Sequence, residues 1–142
     1  MKKLLLIALL ILCSCSKTNE KYQCYYENSS FSNMNTLEVK GDKVTNIISI
    51  YKNQMGKLGY LESDVDSLIE NNILKYQDNP NISYQVNYEN EVLTETISYD
   101  LTSMTKKQLI ETGLVENEDE QVSLSNSLIV FKEKDYICNH VN

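Results

Sequence analysis

The sequence predicts an α+β domain in which an antiparallel sheet, built from two β-hairpins, carries helices on one face in a ββαββα-like order. Two pairs of strand-like runs joined by tight turns indicate the hairpins, and an amphipathic segment follows each pair. The chain has 142 residues. That length is close to the commonest domain size and favours one hydrophobic core over two.

The first fifteen residues predict export and lipid attachment. Two lysines precede nine apolar residues, 4–12, which is the layout of a secretory signal peptide. A membrane-spanning helix needs about 20 residues, so this run is too short to anchor the protein. The sequence Leu12-Cys13-Ser14-Cys15 resembles the lipobox of bacterial lipoproteins, in which the cysteine is acylated. We expect palmitate-type acylation of Cys15; ordinary secretion, or a cut that leaves the lipid on Cys13, is the alternative.

These features divide the chain into a signal peptide over 1–14, a lipidated tether over 15–20 and one domain over 21–142. The net charge is −7, and loss of residues 1–14 leaves 11 lysines against 20 acidic residues, a net charge of −9. An acidic domain without arginine is a poor nucleic-acid binder. Anionic lipid would repel it, so acyl chains would hold it at the extracytoplasmic side of the cell membrane.

Two cysteines, Cys24 and Cys138, remain in the predicted domain. An even pair in an exported protein predicts a disulfide, which would stabilise the fold by up to about 4 to 5 kcal/mol for so long a loop. Two buried thiols are the alternative. Neither cysteine lies in a Cys-x-x-Cys motif, so we expect a structural bridge.

The N-terminal third predicts a strand and then a hairpin. Residues 21–27 form the strand, which ends at the polar stretch 28–30. Runs 35–40 and 43–52 form the hairpin, joined by Gly41-Asp42. The second run is apolar on both faces and is therefore expected to be central in the sheet. One face is predicted to carry Val44, Ile48 and Ile50, and the other Ile47 and Tyr51.

A helix is predicted after Ser63, which we expect to be the N-cap because Asp66 follows three residues later. The apolar stripe has helical spacing, and Asp78-Asn79-Pro80 ends it. The stripe consists of Val65, Leu68, Ile69, Ile73 and Tyr76. A second hairpin follows, with strands over 82–88 and 91–101 and a turn at Glu89-Asn90. Its order repeats that of the first hairpin, so internal duplication or convergent hairpin sequences explain the likeness.

The C-terminal region predicts two helices and a strand. Thr105 and Gln108 form a capping box that opens a short helix, and Gly113 closes it. Ser123 or Ser125 caps the segment 124–134, for which helix is favoured over strand by the apolar spacing and by lysines at its C-terminal end. A short strand over 136–139 would bring Cys138 beside Cys24.

Several segments resemble the YehR-like family of small bacterial lipoproteins. They are the Lys-Lys-apolar-lipobox start, the turn Gly41-Asp42-Lys43-Val44-Thr45, the helix ending in Lys75-Tyr76, and the run Val92-Leu93-Thr94-Glu95-Thr96-Ile97 of a Tyr-rich hairpin. The resemblance implies a compact α+β domain on a lipid anchor and implies no activity. The Cys24 and Cys138 pair departs from the simplest members.

The sequence offers no catalytic set. His140 is the sole histidine and lies next to the C-terminus, where a catalytic base would be badly held. One histidine and no free cysteine exclude the usual zinc ligand sets. Glu62, Asp64 and Asp66 lack the spacing of a calcium-binding EF-hand loop and are better explained by helix capping. A weak cation site or a solvated loop explains the acids of 116–120. We expect no enzyme, no cofactor and no metal.

Tyrosine is the remaining functional signal, with ten Tyr against two Phe and no Trp. Tyr84, Tyr88 and Tyr99 are predicted to form a row on the second hairpin, a candidate binding face, with core packing as the alternative. Tyr25 and Tyr51 are expected to face outward. The favoured function is a non-catalytic envelope lipoprotein that binds a protein partner or a cell-wall component. The alternative is a small-ligand binder with a pocket between sheet and helices.

Overall fold

The computed structural model describes residues 19–141, so the predicted signal peptide and the lipid site at Cys15 lie outside it. The chain forms six strands and three helices in this range. The strands are β1 (Glu20–Glu27), β2 (Phe31–Lys40), β3 (Lys43–Gln54), β4 (Ile82–Glu89), β5 (Val92–Asp100) and β6 (Ile137–Val141). The helices are α1 (Glu62–Tyr76), α2 (Lys106–Glu111) and α3 (Leu124–Glu133).

The strands form one antiparallel sheet in the order β4-β5-β3-β2-β1-β6. The predicted α+β class is confirmed, and the helices lie on one face. The order along the chain is βββαββααβ, so the ββαββα-like pattern is preceded by one strand and followed by a helix and a strand. Strand β3 is third of six, as its two apolar faces predicted.

The first hairpin differs from the prediction in two ways. Strand β2 begins at Phe31, not at residue 35, because polar Asn33 and Asn35 occupy inward positions and hide the alternation. Val44 pairs with Val39 while Glu38 pairs with Asn46, which leaves a bulge between them. The bulge turns Val44 into the core, away from the face of Ile48 and Ile50 on which it was predicted.

Helix α1 begins one residue before Ser63, so the predicted N-cap is wrong. Leu61 is the N-cap, and its backbone N–H donates to the Asp64 carboxylate over 3.0 Å. An acidic side chain in the first turn has replaced a capping hydroxyl. The predicted capping box of α2 is confirmed, since Thr105 Oγ1 accepts from the Gln108 N–H and Gln108 Oε1 accepts from the Thr105 N–H.

The start of α3 and the turn of the second hairpin are set by residues close to them in the sequence. Ser123, rather than Ser125, caps α3 by accepting from the Asn126 N–H, and the predicted helix is confirmed. The second hairpin turns at Asn90-Glu91, one residue later than predicted. Both residues have positive φ, 53° and 61°, the geometry of a two-residue turn that matches the twist of its strands.

The predicted disulfide is confirmed. Cys24 of β1 and Cys138 of β6 are direct neighbours across the sheet, with Cα atoms 4.0 Å apart and 114 residues of separation. Cys24 is fully buried, and the bond joins the last strand to the first. The covalent link closes most of the chain into a single loop.

Two apolar clusters lie between the sheet and the helices. The cluster under α1 has a buried core of Met55, Val65 and Leu93. The larger cluster lies under α2 and α3, with Leu37, Val39, Val44, Ile47, Leu101, Met104, Leu109 and Val115. The helices themselves bury few side chains: α1 buries Val65, α2 buries Leu109 and α3 buries none. Leu124 and Phe131 of α3 and Leu68 and Ile69 of α1 pack against these clusters while staying partly exposed, and open cavities remain beside the helices.

Candidate ligand groove between the sheet and the helices

The three predicted site tyrosines lie on the helix-covered face of the sheet. Tyr88 packs against the cluster under α1, and Tyr99 packs against the cluster under α2 and α3. Tyr84 lies between them on β4. All three are half-buried on this covered face, and Tyr99 lines a cavity there. Their role in binding stays a prediction.

Tyr25 and Tyr51, both expected to face outward, lie on opposite faces of the sheet. Tyr25 is 41% exposed on the uncovered face. Tyr51 is half-buried on the covered face, with its ring centroid 6.3 Å from that of Phe31, so the expectation for Tyr51 is wrong. It shares a strand face with Ile47, and the alternation carries it inward.

A buried carboxylate lies between the two apolar clusters. Glu95 on β5 is 8% exposed, and its Oε1 accepts from the Tyr84 hydroxyl at 2.6 Å and from Asn72 Nδ2 at 2.7 Å. Burial, together with the hydrogen bond to Glu95, raises the pKa of Tyr84 and keeps its hydroxyl protonated. The two bonds join α1 to both strands of the second hairpin.

A second polar network occupies the middle of the sheet. Asn33 and Asn35 are buried on β2, and Asn35 Nδ2 donates to Asn33 Oδ1. Ser49 Oγ donates to Asn35 Oδ1 at 2.6 Å, and the Tyr136 hydroxyl donates to Asn33 Oδ1 at 2.8 Å. Tyr136 follows α3, so this network attaches the end of that helix to the sheet.

Between these attachments two cavities lie over the sheet, together called here the groove. Their floor is one row of directly paired residues on four adjacent strands, Ile82, Tyr99, Ile47 and Leu37. One cavity lies over Ile82 and Tyr99 and the other over Ile47 and Leu37, and the two share no lining residue. Adjacent strands are about 4.8 Å apart, so the floor is roughly 15 Å long.

The end over Tyr99, called here the polar end, lies between the C-terminal end of α1 and α2. Its cavity measures about 340 Å³. Polar lining residues are Lys75, Tyr76, Asp78, Asn79, Gln108, Glu111 and Thr112. Burial raises the pKa of Tyr99, and the electrostatic effect of the neighbouring Tyr76 adds to it, so the Tyr99 hydroxyl stays neutral. Lys75 Nζ lies 5.0 Å from the Tyr76 ring centroid.

The end over Leu37, called here the apolar end, lies beside α3 and measures about 770 Å³. Above the floor its lining combines apolar Leu114, Val115, Val122, Ile129, Val130 and Phe131 with charged Glu116, Glu120 and Lys134. Ile129 is 56% exposed and Val130 46% exposed, although each is part of a helix that covers the sheet. Cavities of about 300 to 1,000 Å³ are the usual size of small-ligand sites.

Helix α3 is fixed in place beside this apolar end. Asp42, in the first hairpin turn, accepts from the Ser125 N–H at 2.9 Å and from the Ser125 hydroxyl at 3.0 Å. The Asp42 carbonyl also accepts from the Leu124 N–H at 2.7 Å. The space under α3 is therefore part of an ordered arrangement, with the helix held at both ends.

The uncovered face of the sheet carries a smaller apolar feature, the open-face stripe. It crosses β6, β1, β2 and β3 through directly paired residues. The stripe consists of Ile137, Tyr25, Met34 and Ile50, with Ile48 beside Ile50. Ile137 is 69% exposed, whereas the residues on β2 and β3 are half-buried.

Other candidate groups have structural partners. His140 Nε2 lies 3.8 Å from Glu20 Oε2, and its ring packs edge-on against Tyr22. The Glu120 carboxylate accepts from the Glu116 N–H and from Asn117, which orders the acidic loop. Residues 19–141 contain no group of His, Cys, Asp and Glu arranged to hold a metal. In that same range, none of the helices has the length and apolarity that crossing a membrane requires.

Sequence reasoning missed the residues that shape the middle of the covered face. Glu95 occupies an inward position between Leu93 and Ile97, and an acid at such a position is a detectable signal of a buried polar contact. Asn33 and Asn35 gave no comparable signal, because asparagine is common in exposed strands and loops of this chain. Their partner Tyr136 lies 103 residues from Asn33.

Comparison with solved structures shows the fold. The NMR structure of the E. coli YehR protein is 18% identical and has a TM-score of 0.73, with 89% of this chain and 95% of that chain covered. The NMR structure of a protein from Streptococcus pneumoniae TIGR4 is 12% identical, with a TM-score of 0.57 over 98% and 96%. No protein-family profile and no curated protein match the chain. The YehR-like resemblance is therefore confirmed as a shared fold.

Proposed function

We propose that this chain is a non-catalytic lipoprotein of the bacterial envelope that binds a small ligand in the groove between its sheet and helices. Lipid on Cys15 would hold it on the extracytoplasmic side of the membrane. The observation that carries the proposal is the pair of cavities over one row of sheet residues.

Export and anchoring are supported by two independent features. The first is the order of charged, apolar and small residues that ends at Cys15. The second is the disulfide between Cys24 and Cys138, since such bonds persist in oxidising compartments outside the cytoplasm. Only short tether residues separate Cys15 from β1, so the domain would stay close to the membrane surface.

Binding without catalysis is supported by the partners of the reactive groups. Cys24 and Cys138 are joined to each other, and His140, on the edge strand β6, lines neither cavity of the groove. Glu95, the buried acid, accepts two hydrogen bonds that connect structural elements. A general base must be held within hydrogen-bond reach of a substrate proton, and these groups are instead engaged in holding the fold.

Native mass spectrometry of the protein, extracted gently from its host membrane, tests this proposal. We expect a retained small molecule whose mass disappears in the variant Ile129→Asn, because Ile129 lines the apolar end. Leu74→Asn is the matched control, since Leu74 is 60% exposed on α1 and lines no part of the groove. Retention that is equal in both variants would contradict the proposal.

A protein partner is the second candidate function, and the open-face stripe is the observation that favours it. Apolar residues at the surface of a sheet are a common basis for association. A stoichiometric second protein in the same mass spectrum, lost in Ile137→Asn and kept in Ile129→Asn, would establish this candidate in place of the groove.

A further inference from the structure

We propose that strand β4, at one edge of the sheet, pairs with β4 of a second copy of this chain, so that the two sheets become one continuous sheet. The two strands run antiparallel, and Gln85 of one copy lies directly opposite Gln85 of the other. This contact is separate from the groove and does not depend on a ligand there.

The backbone of β4 carries polar groups that point away from its strand neighbour. In the part of the chain that the structure describes, β4 pairs with β5 alone. The Asp100 N–H donates to the Asn81 carbonyl at 2.9 Å, so the odd-numbered residues of β4 are those that exchange hydrogen bonds with β5. The even-numbered residues direct their backbone groups outward, and of these only the Ile82 N–H has a local acceptor, the Asn79 carbonyl. They are Ile82, Tyr84, Val86 and Tyr88.

Strand β4 also lacks the features that usually protect an exposed edge. Protected edge strands are short, or they carry lysine, proline or a bulge. The eight residues of β4 include neither lysine nor proline, and their pairing with β5 runs without a register shift. The single charged residue, Glu89, lies at the end of the strand. The opposite edge strand, β6, has five residues, so β4 is the edge better suited to pairing.

One register of the paired strands uses all four outward-directed residues. When Gln85 faces Gln85, Tyr84 pairs with Val86, and Ile82 pairs with Tyr88 of the other copy. Each pair joins an aromatic residue to a β-branched one, which is a favourable cross-strand combination. These side chains are half-buried in the single chain, so a second strand beside them would remove more of their surface from water.

Other registers use the strand less well. A shift by two residues pairs Tyr88 with Pro80, which has no N–H to donate, or pairs Ile82 with Asn90, which lies in the hairpin turn. A shift by one residue would set outward-directed backbone groups against groups already bonded to β5, and would mismatch the two faces. The register centred on Gln85 is therefore the one we expect.

Charge does not oppose the contact at the strand itself. In the register centred on Gln85, Glu89 lies opposite Asn81, and Ser83 lies opposite Asn87, so no like charges meet. Each copy is acidic overall, however, and the two copies repel each other at a distance. Salt screens that repulsion, so added salt should strengthen the association.

Sedimentation equilibrium of residues 16–142 tests the proposal. This fragment contains the whole sheet, the disulfide and both apolar clusters. We expect a monomer–dimer equilibrium that Gln85→Lys weakens about three- to tenfold at physiological salt, because two lysines then face each other across the strands. Asn139→Lys is the matched control, since Asn139 is exposed on the same face of the sheet at the opposite edge, and it should leave the association unchanged.

A mixture of two variants tests the register. Gln85→Lys and Gln85→Glu should each associate weakly alone, whereas an equimolar mixture should dimerise at least as well as the unaltered chain, because opposite charges then face each other. Hydrogen exchange gives a backbone readout. As the protein concentration rises, the Val86 amide should exchange more slowly, while the Gln85 amide, which already faces β5, should not change.

Three results would overturn the proposal: a chain that stays monomeric up to millimolar concentration, equal weakening by Gln85→Lys and Asn139→Lys, or a mixture that associates no better than either variant alone. Circular dichroism confirms beforehand that all three variants fold. Association that persists in Gln85→Lys but disappears in Ile137→Asn would also contradict the proposal, and would place the contact on the open-face stripe.

Discussion

Side chains alternate between the two faces of the sheet, and the two faces carry different kinds of residues. The covered face holds both apolar clusters, most of the tyrosines and the buried polar residues Glu95 and Asn33. The open face holds one apolar stripe and exposed polar residues such as Lys52 and Gln85. A sheet face under helices is usually closed by them, yet here α3 buries no side chain of its own.

Helices can therefore cover a sheet face without their side chains filling all the space above it. Polar contacts hold the helices in place: Asp42 binds Ser125 at the start of α3, and Glu95 binds Asn72 of α1. Because these contacts set the position of the helices, apolar packing need not fill the space below. The groove follows from that division of roles.

The largest effect is expected from removing the disulfide, which joins β1 to β6 on the covered face of the sheet. The double variant Cys24→Ala and Cys138→Ala should lose about 4 kcal/mol of unfolding free energy, since a loop of 114 residues is no longer closed. Urea unfolding followed by circular dichroism measures it. A loss under about 1 kcal/mol would show that the core, not the bridge, holds β6.

The next largest effect is expected from shortening an apolar side chain, and its cost in unfolding free energy should differ between the two faces of the sheet. Leu37→Ala removes a buried side chain from the covered face and should cost about 3 kcal/mol. Ile48→Ala, on the open face, removes a half-buried side chain and should cost about 1 kcal/mol. Equal costs in urea unfolding would mean that the open face is packed as tightly as the covered one.

Alkaline pH should destabilise the covered face. The pKa values of Tyr84 and Tyr99 are raised in the folded protein, so both hydroxyls keep a proton that the unfolded chain loses near pH 10. The folded state therefore binds more protons above that pH, and the free energy of unfolding falls as the pH rises. In Tyr84→Phe the decline should be shallower, as measured by urea unfolding between pH 8 and about 11. An unchanged slope would contradict the burial of this hydroxyl.

Tyr84→Phe also removes a donor to the buried Glu95 carboxylate at neutral pH. We expect a loss of about 1 to 2 kcal/mol, because a hydrogen bond to a charged group is stronger than a neutral one. Tyr25→Phe is the control on the open face, where the hydroxyl donates to the exposed Glu27 carboxylate and should contribute little because water competes for that bond. Identical unfolding curves for the two variants would be inconsistent with the proposed role of Glu95.

The smallest effect is expected where α3 is attached. Ser125→Ala removes a hydroxyl that donates to Asp42 and should cost about 0.5 to 1 kcal/mol. Hydrogen exchange should detect it as faster exchange of the α3 amides, with α1 unaffected. Faster exchange spread evenly over both helices would indicate that Asp42 does not act locally.

Local patterns predicted most of the fold, because hairpins and helices are encoded over short stretches. Gly41-Asp42, the Thr105–Gln108 capping box and the spacing of α3 each act within a few residues. Errors arose where distant contacts decide: the bulge that turns Val44 inward needs the partner strand. The first α1 turn was misjudged because Asp64, not Ser63, supplies the cap.

The groove was less predictable than the fold. Its floor combines Leu37, Ile47, Tyr99 and Ile82, whose adjacency depends on the register of three separate strand pairs. The predicted row of Tyr84, Tyr88 and Tyr99 identified the right face but not the groove, since Tyr88 packs into the cluster under α1. Periodicity shows which side chains share a face, and cannot show how far the helices stand above it.

Amide chemical-shift mapping compares the two faces most directly. Residues 16–142, labelled with ¹⁵N, would be titrated with a lipid extract of the host membrane. We predict saturable changes in the amide chemical shifts of Ile47, Tyr99 and Ile129, and unchanged shifts for Tyr25 and Ile137. Saturable shifts confined to Tyr25 and Ile137, with the groove silent, would contradict it and make the open face the binding surface.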